Sequence, residues 1–199
     1  MKTSKVGDYV IFGTYEQDNN KSNGKEYIEW LVLEKEDNRI FMISRYALDF
    51  LEYETHFTSV TWKTCYLREW LNGTFLNAAF SPEEQNSIIR STVWPDRNPY
   101  YGTSPGSSTI DKIFLLSIPE VNKYFSSNSA RQCQGTEYCY AQKKHKTGKG
   151  NCSWWLRSPG SSSNCAAYVE YDGHVINGGI SVDYENVAVR PALWISLGE

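Results

Sequence analysis

The sequence predicts an α+β fold in which a twisted antiparallel sheet forms the core, with helices on its flanks and long loops. Three patterns point to it: alternating apolar runs near both ends, apolar residues at helical spacing between residues 61 and 89, and turn-forming clusters between these segments. A length of 199 residues suits one domain. We therefore expect a single domain over residues 1–199, with a long irregular insertion at about 126–151.

The first part of the chain predicts three strands that pair in sequence order. Val6–Thr14 alternates between polar and apolar side chains before a polar turn cluster, and Tyr27–Leu33 is rich in apolar residues. Arg39–Ser44 follows after the turn residues Asp37 and Asn38. This order of elements predicts a meander.

The next segment predicts helices. From Thr61, apolar residues recur at intervals of three and four, which is typical of an amphipathic helix, and Asn72-Gly73 is expected to end it. A second helical segment is expected over Phe75–Phe80. Residues 81–84 then combine a capping serine, a proline suited to the first turn and a glutamate at the capping-box position. A third helix is therefore expected through about Ile89.

The middle of the chain predicts two long loops separated by a strand and a short helix. Residues 94–109 are mostly proline, glycine, serine, asparagine and tyrosine, which indicates a surface loop. Lys112–Ser117 predicts a buried strand, and Pro119 opens a helix to about Phe125. Residues 126–151 have few aliphatic side chains, and a loop of that length in a compact domain is usually functional or mobile.

The last quarter of the chain is expected to organise the sheet. Two apolar segments, Trp154–Gly160 and Val189–Leu193, each carry one arginine and one proline, and we expect them to pair as neighbouring strands. Asp172-Gly173 lies between two alternating runs and predicts a two-residue hairpin, whose two central residues both need positive φ. Pro191 indicates a sheet edge or a bulge.

Composition and charge argue against several classes of partner. Twenty basic residues against 23 acidic ones give a formal net charge of -3, so no nucleic-acid partner is expected. No apolar run approaches the roughly 18 residues of a membrane helix, and the first residues lack the apolar segment of an export signal. We expect a soluble protein without membrane insertion. The compartment and the oligomeric state stay open.

The titratable side chains do not indicate a catalytic or metal centre. Five cysteines would suit one or two disulfides with a thiol left over, or five reduced buried thiols: Cys65, Cys133, Cys139, Cys152 and Cys165. A zinc site from Cys133, Cys139, His145 and Cys152 lacks the short Cys-x2-4-Cys pair that usually starts one, so neither a metal nor a cofactor is expected. The histidines are isolated, and the lysine run at 143–149 is expected to be a solvated loop.

A set of different short motifs, spread along most of the chain, resembles the pattern of a known protein family. They are Gly7, Phe12-Gly13, Trp30–Leu33, Thr61-Trp62, Leu67-Arg68, Trp70–Asn72, Ala79-Phe80, Glu84, Phe114–Ser117, Trp154–Gly160 and Arg190–Leu193. Through them the chain resembles a bacterial family of unknown function that is similar to the C-type-lectin-like fold. That fold is related in architecture to the formylglycine-generating, sulfatase-modifying domain and to the variable receptor-binding proteins of phages. The resemblance implies a fold but no activity, since the scaffold hosts sugar binding, protein binding and oxidation chemistry.

Aromatic side chains in the predicted loops are the candidate ligand-binding residues: Trp94, Tyr100, Tyr101, Tyr138 and Tyr140. Amphipathic rings of this kind stack on sugars or anchor a protein partner. The alternative is that several of them fold back and cover the core.

Four residues of the two arginine segments are expected to be structural: Trp154, Trp155, Arg157 and Arg190. An unpaired guanidinium in an apolar segment is costly. We therefore expect each arginine to pair with a carboxylate or with loop carbonyls, and an anion site is the alternative.

Three functions follow as hypotheses. The first and favoured one is a non-catalytic recognition domain that binds a protein or a glycan through residues 94–109, residues 126–151 and the C-terminal hairpin tips. The second is an enzyme derived from the formylglycine-generating scaffold, with Cys152 and Cys165 as its thiols. The third is a structural module of a larger assembly, which would have no concave site. No catalytic residue is assigned.

Overall fold

Two five-stranded sheets share one hydrophobic core in the computed structural model, which describes residues 1–143 and 150–198. The strands are β1 (Tyr9–Tyr15), β2 (Glu26–Lys35), β3 (Arg39–Ser44), β4 (Asp49–Phe50), β5 (Ser91–Val93), β6 (Thr109–Asp111), β7 (Ile113–Phe114), β8 (Trp154–Pro159), β9 (Cys165–Val169), β10 (Val175–Ser181), β11 (Ala188–Val189) and β12 (Ala192–Ser196). The helices are α1 (Tyr66–Trp70), α2 (Leu76–Ala79), α3 (Pro82–Ser87), α4 (Ile118–Tyr124), α5 (Asn128–Arg131) and α6 (Glu137–Gln142). This mixture of sheets and short helices confirms the α+β class.

The first sheet has the strand order β1-β2-β3-β12-β7. β1 pairs antiparallel with β2, and β2 pairs antiparallel with β3, which confirms the predicted meander. In β2, the alternate residues Ile28, Trp30 and Val32 are buried, as the two-residue period of a strand requires. β12 comes from the far end of the chain and pairs antiparallel with β3.

The second sheet has the order β10-β9-β8-β11-β4 and holds the first arginine segment at its centre. All six residues of β8 are buried, so this strand reads as a continuous apolar run rather than an alternating one. β11 lies beside β8, as expected for the two arginine segments, but the pairing of Ala188 with Trp154 is parallel. The two arginine segments are therefore neighbours at this one position, and the rest of the second segment continues into β12 of the first sheet.

Pro191 marks the point where the chain crosses between the sheets. β11 belongs to the second sheet and β12 to the first, and only Arg190 and Pro191 separate them. Proline has no N–H to donate to a ladder, so it suits this break. Its carbonyl accepts a hydrogen bond from the Ser44 N–H at 2.9 Å, which ties the crossing to the end of β3.

The helix expected to stop at Asn72-Gly73 continues past it. α1 begins at Tyr66 and runs through a π-helical turn, Leu71–Phe75, into α2. The Asn72 amide donates to the Arg68 carbonyl at 3.1 Å and to the Ile113 carbonyl at 2.8 Å. Burial of the Leu71 and Phe75 side chains outweighs the weak helix propensity of Asn-Gly.

Local capping signals fix the start of two helices. α3 begins with a capping box formed by Ser81 and Glu84, which confirms the predicted start, and α4 begins with one formed by Ser117 and Glu120. The strand expected at Lys112–Ser117 is limited to β7. Within residues 1–143 and 150–198, none of the helices combines the length and the apolar character that crossing a bilayer requires.

The segment expected to be irregular, residues 126–151, contains two short helices. Ser127 caps α5 and Thr136 caps α6, each by accepting a backbone N–H with its hydroxyl. These caps start helices even though aliphatic residues are few. Of the lysine run at 143–149, all but Lys143 lies outside the described residues.

The hairpin between β9 and β10 differs from the predicted two-residue turn. The Gly173 N–H donates to the Glu170 carbonyl at 2.8 Å, and Gly173 has a φ of 92°. Positive φ is found at Gly173 but not at Asp172, both of which the structure describes. The loop is therefore a turn closed by one left-handed glycine, which is the usual three-residue connection.

Candidate functional site

A groove of about 390 Å³ lies between α4, the end of β5 and the first sheet near β3 and β12. Its volume falls in the range of ligand pockets, and its lining combines aromatic with charged side chains. The aromatic residues are Trp94, Phe41, Phe114, Tyr124 and Trp194, and the charged ones are Glu34, Asp96, Glu120, Lys123 and Arg157. We call it the Trp94 groove.

The floor of the Trp94 groove is an aromatic row on the first sheet. Phe41 in β3 lies directly opposite Trp194 in β12, and their ring centroids are 5.0 Å apart. Phe114 in β7 stacks on Phe41 at 5.6 Å with an interplanar angle of 12°. Cross-strand aromatic pairs stabilise a sheet, and here they also give the groove a rigid apolar base.

Arg157 forms one end of the groove and is held by two carboxylates. Its Nη2 atom lies 2.9 Å from Glu120 Oε1 and 3.1 Å from Asp96 Oδ2, while Nη1 donates to Glu120 Oε2. Nη1 also donates to the Leu115 carbonyl at 2.8 Å. The guanidinium therefore has carboxylate and carbonyl partners within its own chain.

The wall formed by α4 and the end of β2 carries fixed donors and acceptors. Glu34 accepts hydrogen bonds from Lys123 Nζ at 2.8 Å and from the Tyr124 hydroxyl. The bond from Lys123 holds the pKa of Glu34 below its usual range, and burial raises the pKa of Tyr124 to about 12. At neutral pH, Glu34 is therefore charged and Tyr124 keeps its proton.

The loop that joins β5 to β6, residues 94–108, contributes Trp94 and Asp96 to the groove, and we call it the rim loop. The Trp94 side chain is 68% exposed at its start. The Asn98 side chain is 1% exposed, and its Nδ2 donates to the carbonyls of Pro159 at 2.9 Å and Asn177 at 2.6 Å. Asn98 Oδ1 accepts the Tyr100 N–H at 3.0 Å. One buried amide therefore fixes the middle of the loop to the second sheet.

The base of the same loop is held by Asp111. This buried carboxylate lies 2.7 Å from Arg68 Nη2 and accepts the Trp62 indole N–H at 2.9 Å. Gly106, near the end of the loop, has a φ of 81°, and a Cβ there would lie 2.8 Å from Thr61. Residues of the sequence motifs Thr61-Trp62 and Leu67-Arg68 thus support the loop.

The lining of the Trp94 groove combines an exposed aromatic ring with polar groups of fixed orientation. Trp94 presents an exposed ring, the floor is apolar, and the wall and end supply oriented carboxylates, an ammonium and a phenol. The cation–carboxylate contacts of the lining fix the orientation of these groups.

The structure divides the five predicted ligand-binding residues into two groups. Trp94, Tyr100 and Tyr101 lie on the rim loop, and all three are exposed. Tyr138 packs edge-on against Tyr15 with ring centroids 5.7 Å apart. Tyr140 accepts the Gly135 N–H at 2.9 Å, so both tyrosines of α6 are partly buried. Tyr138 and Tyr140 therefore pack against the core, which is the alternative that the sequence left open for some of these rings.

The loops expected to share one face lie at opposite ends of the second sheet. Asn98 reaches Pro159 at the end of β8, whereas the Arg131 carbonyl accepts the Trp154 indole N–H at its start. The tip of the hairpin between β9 and β10 lies near Arg131, at the start of β8, because Arg131 Nη1 donates to the Gly173 carbonyl. The six residues of β8 span five steps of about 3.3 Å, so the two ends lie roughly 17 Å apart. Residues 126–143, residues 150–151 and the hairpin tip therefore lie away from the surface near Trp94.

Arg190 has aromatic neighbours where Arg157 has carboxylates. Its guanidinium carbon lies 5.0 Å from the Trp154 ring centroid and 5.4 Å from that of Phe125. Its Nε donates to the Ser44 carbonyl at 3.0 Å, and Nη1 finds no hydrogen-bond partner among the residues that the structure describes. Trp155 is also buried and donates to the Leu51 carbonyl at 2.8 Å.

The thiols of the enzyme hypothesis are far apart. The Cys165 carbonyl accepts the Gly160 N–H at 2.6 Å beyond the end of β8, whereas Cys152 precedes Trp154 at its start. The length of β8 alone, roughly 17 Å, therefore lies between these two cysteines. A two-thiol centre made of Cys152 and Cys165 is therefore contradicted by the sheet register.

Among the residues that the structure describes, the cysteines considered for a zinc site do not form a metal-ligand cluster. Cys133, Cys139 and Cys152 are buried, and His145 lies outside the described residues. Among the described residues, the group whose ligand atoms all lie within 4.8 Å is Glu16, Asp18 and Glu26, in the turn before β2. Those carboxylates accept backbone N–H groups of their own turn, so we assign no metal site.

Several groove residues were not predicted from the sequence. Glu120 could have been found, because Ser117 and Glu120 have capping-box spacing and the buried Arg157 needs a carboxylate. No nearby sequence pattern predicts that Tyr124 and Trp194 line the groove, because their position depends on how β3, β12 and α4 pack together. Asn98 is likewise recognisable only from its contacts with two distant strands.

Comparison with known proteins gives one result. A family model described as a domain of unknown function (DUF6273) matches residues 37–197. This range includes every lining residue named for the Trp94 groove except Glu34. No curated protein and no solved structure matches the chain.

Proposed function

Since the chain belongs to the DUF6273 family of domains of unknown function, we propose its role from the Trp94 groove: it is a non-catalytic recognition domain that binds a glycan or a protein. The observation that carries the proposal is the exposed Trp94 ring beside a groove with an aromatic floor and fixed polar walls. The recognition surface is the groove and the rim loop 94–108.

A glycan is the ligand that this chemistry favours. The apolar face of a sugar ring stacks on an aromatic side chain such as Trp94, while its hydroxyls both donate and accept hydrogen bonds. Asp96 and Glu34 supply acceptors, and Lys123 supplies a donor. The two cations of the lining are paired with its carboxylates, so the site suits a neutral polar ligand better than a strongly charged one.

The anchored rim loop supports a binding role. Asn98 fixes its middle and Asp111 fixes its base, so Trp94 is presented by backbone that is already ordered. Preorganisation lowers the conformational entropy lost on binding and thereby strengthens it. A loop serving only as a connection would not need two buried polar anchors.

A protein partner is the second candidate, and Tyr100 and Tyr101 favour it. Both side chains are exposed on the same loop as Trp94. Clustered Trp and Tyr residues are typical of the energetically dominant part of a protein interface. A partner would then cover the loop as well as enter the groove.

We also propose that the architecture is a variant of the lectin-type fold. Supporting this are the largely antiparallel sheets, the flanking helices and a long anchored loop beside the proposed site. An experimental structure that aligns both sheets with lectin-type domains in the same strand connectivity would establish it. A different strand connectivity would contradict the lectin-type fold but would not affect the proposal that the Trp94 groove binds a ligand.

The test is a glycan array probed with the wild-type chain and two variants. Trp94→Ala removes the exposed ring, and Phe57→Ala removes another exposed ring, 63% exposed and outside the groove lining. We expect Trp94→Ala to weaken binding of the best glycan by about tenfold or more and Phe57→Ala to leave it unchanged. Equal binding by wild type and Trp94→Ala would contradict the site.

An array without any bound glycan would reject the glycan ligand. The protein candidate is then tested with a displayed peptide library selected on the wild type and counter-selected on Trp94→Ala. Peptides that bind the wild type and lose binding with Tyr100→Ala or Tyr101→Ala would support it. Peptides insensitive to all three substitutions would contradict it.

A further inference from the structure

Two buried cysteines lie opposite each other at the end of the second sheet where β8 begins. Gln134 and Asn151 form an antiparallel bridge, which places Cys133 across from Cys152. The Cys152 N–H donates to the Cys133 carbonyl at 2.8 Å, so the two backbones are hydrogen-bonded at this position.

This backbone arrangement matches the geometry of a disulfide. Residues directly opposite in a hydrogen-bonded antiparallel pair have Cα atoms about 5.5 Å apart. Disulfides span Cα separations of about 4.4–6.8 Å. The backbone spacing expected at Cys133 and Cys152 therefore falls within the range that a disulfide spans.

The side chains already face each other. The Cys152 thiol donates to the Cys133 carbonyl oxygen at 3.4 Å. Burial acts to raise the pKa of the Cys133 thiol, but the neighbouring Cys152 thiol and the charge of Arg190 lower that pKa below its usual range. Arg190 Nη1 has no hydrogen-bond partner among the described residues. A thiolate at Cys133 would thus form next to a buried cation.

The other cysteines do not share this arrangement. Cys139 lies on α6, where its Sγ would be 3.1 Å from a Cβ placed on Gly135. Cys65 donates to the Trp62 carbonyl, and Cys165 lies opposite Gly160 at the far end of β8. Cys133 and Cys152 are therefore the pair that the sheet itself brings together.

We propose that Cys133 and Cys152 are a disulfide-forming pair that locks the segment between them onto the second sheet. The oxidant is a low-molecular-weight disulfide such as oxidised glutathione. The Cys133 thiolate attacks one of its sulfurs and releases one glutathione thiolate. The Cys152 thiolate then attacks the Cys133 sulfur and releases the second, so two thiol protons are lost and two glutathione molecules are formed.

The linkage would close the chain between residues 133 and 152 and hold α6 within that loop. Both thiols are buried, at 3% and 4% exposure, so exchange takes place during folding or during local opening. The linked form should be the more stable one, because closing a loop of this length restricts the unfolded chain.

The test is to refold the full chain in buffers of increasing oxidised-to-reduced glutathione ratio and to map its disulfides by mass spectrometry. We expect one dominant linked peptide pair joining Cys133 to Cys152, lighter by two hydrogens than the reduced pair. The linked form should melt about 5–10 °C higher than the reduced form.

Single substitutions separate this pair from the remaining thiols. Cys133→Ser and Cys152→Ser should each abolish the linkage and the thermal shift, and Cys139→Ser should preserve both. A dominant linkage through Cys139, or no linkage in fully oxidised glutathione, would overturn the proposal. Peptide mapping of the wild type decides the matter even if a serine variant fails to fold.

Discussion

Two buried arginines, Arg157 and Arg190, have the same appearance in the sequence and opposite surroundings in the structure. Arg157 bonds Glu120 and Asp96 at one end of the Trp94 groove. Arg190 lies between the rings of Phe125 and Trp154 with one nitrogen unpartnered among the described residues. An apolar segment with one arginine therefore predicts burial, and the neighbouring elements decide which partner the charge receives.

The difference arises from what packs against each arginine. Arg157 meets the first turn of α4, whose capping box places Glu120 there for a local reason. Arg190 lies at the crossing between the sheets, where aromatic residues of the core surround it. The first arrangement opens onto a groove and the second is closed, so only the first contributes to the proposed binding surface.

The largest effect is expected from Glu120→Ala, which breaks the ion pair between Arg157 and Glu120. It removes the bidentate partner of Arg157 and a capping carboxylate together. We expect a loss of about 3 kcal/mol in the free energy of unfolding, measured by urea denaturation.

Glu84→Ala is the matched control for that prediction. Glu84 occupies the same capping-box position in α3, where it accepts the Gly13 N–H rather than a guanidinium. We expect a loss of about 1 kcal/mol. Equal losses of unfolding free energy in the two variants would mean that the Arg157–Glu120 ion pair adds no stability beyond that of the helix cap.

An intermediate effect is expected from Asp49→Asn, on the strand paired with β11 beside Arg190. Burial raises the pKa of Asp49 to about 6 from its usual 3.8. Between about pH 4 and pH 6 the folded chain therefore holds a proton that the unfolded chain has released, so this group makes stability fall as pH rises.

The amide introduced by Asp49→Asn would mimic the protonated carboxyl at every pH. We expect this variant to match the wild type near pH 4 and to exceed it by about 2 kcal/mol above pH 6.5, measured by denaturation at several pH values. A constant difference across that range would show that Asp49 does not titrate as its burial implies.

A smaller effect is expected from Arg190→Met. The methionine side chain would keep the contact with the Phe125 and Trp154 rings while removing a charge that has no carboxylate partner described. We expect a loss of about 1 kcal/mol, the size of a cation–π contribution. A loss larger than that of Glu120→Ala would reverse the comparison.

Local signals made part of this fold predictable. The meander and the cap of α3 follow from alternation and from residues only three positions apart. The stop at Asn72-Gly73 was wrong, because the burial of Leu71 and Phe75 overrode a local breaker. Such burial depends on distant residues, which a pattern in one segment does not show.

The candidate site was predictable only in part for the same reason. Trp94, Tyr100 and Tyr101 were found from the loop composition, but Tyr138 and Tyr140 have the same character and lie elsewhere. The pairing of Phe41 with Trp194 joins residues more than 150 positions apart. Only the register of β3 and β12 brings them under Trp94.

The most direct measurement of the central claim uses the indole N–H signals of the seven tryptophans in a nitrogen-15 NMR spectrum. The chain is titrated with the glycan that binds most tightly on the array. We expect the Trp94 and Trp194 signals to shift together and to saturate, while the signal of Trp154 beside Arg190 stays in place. A shift at Trp154 with Trp94 unmoved would contradict the account.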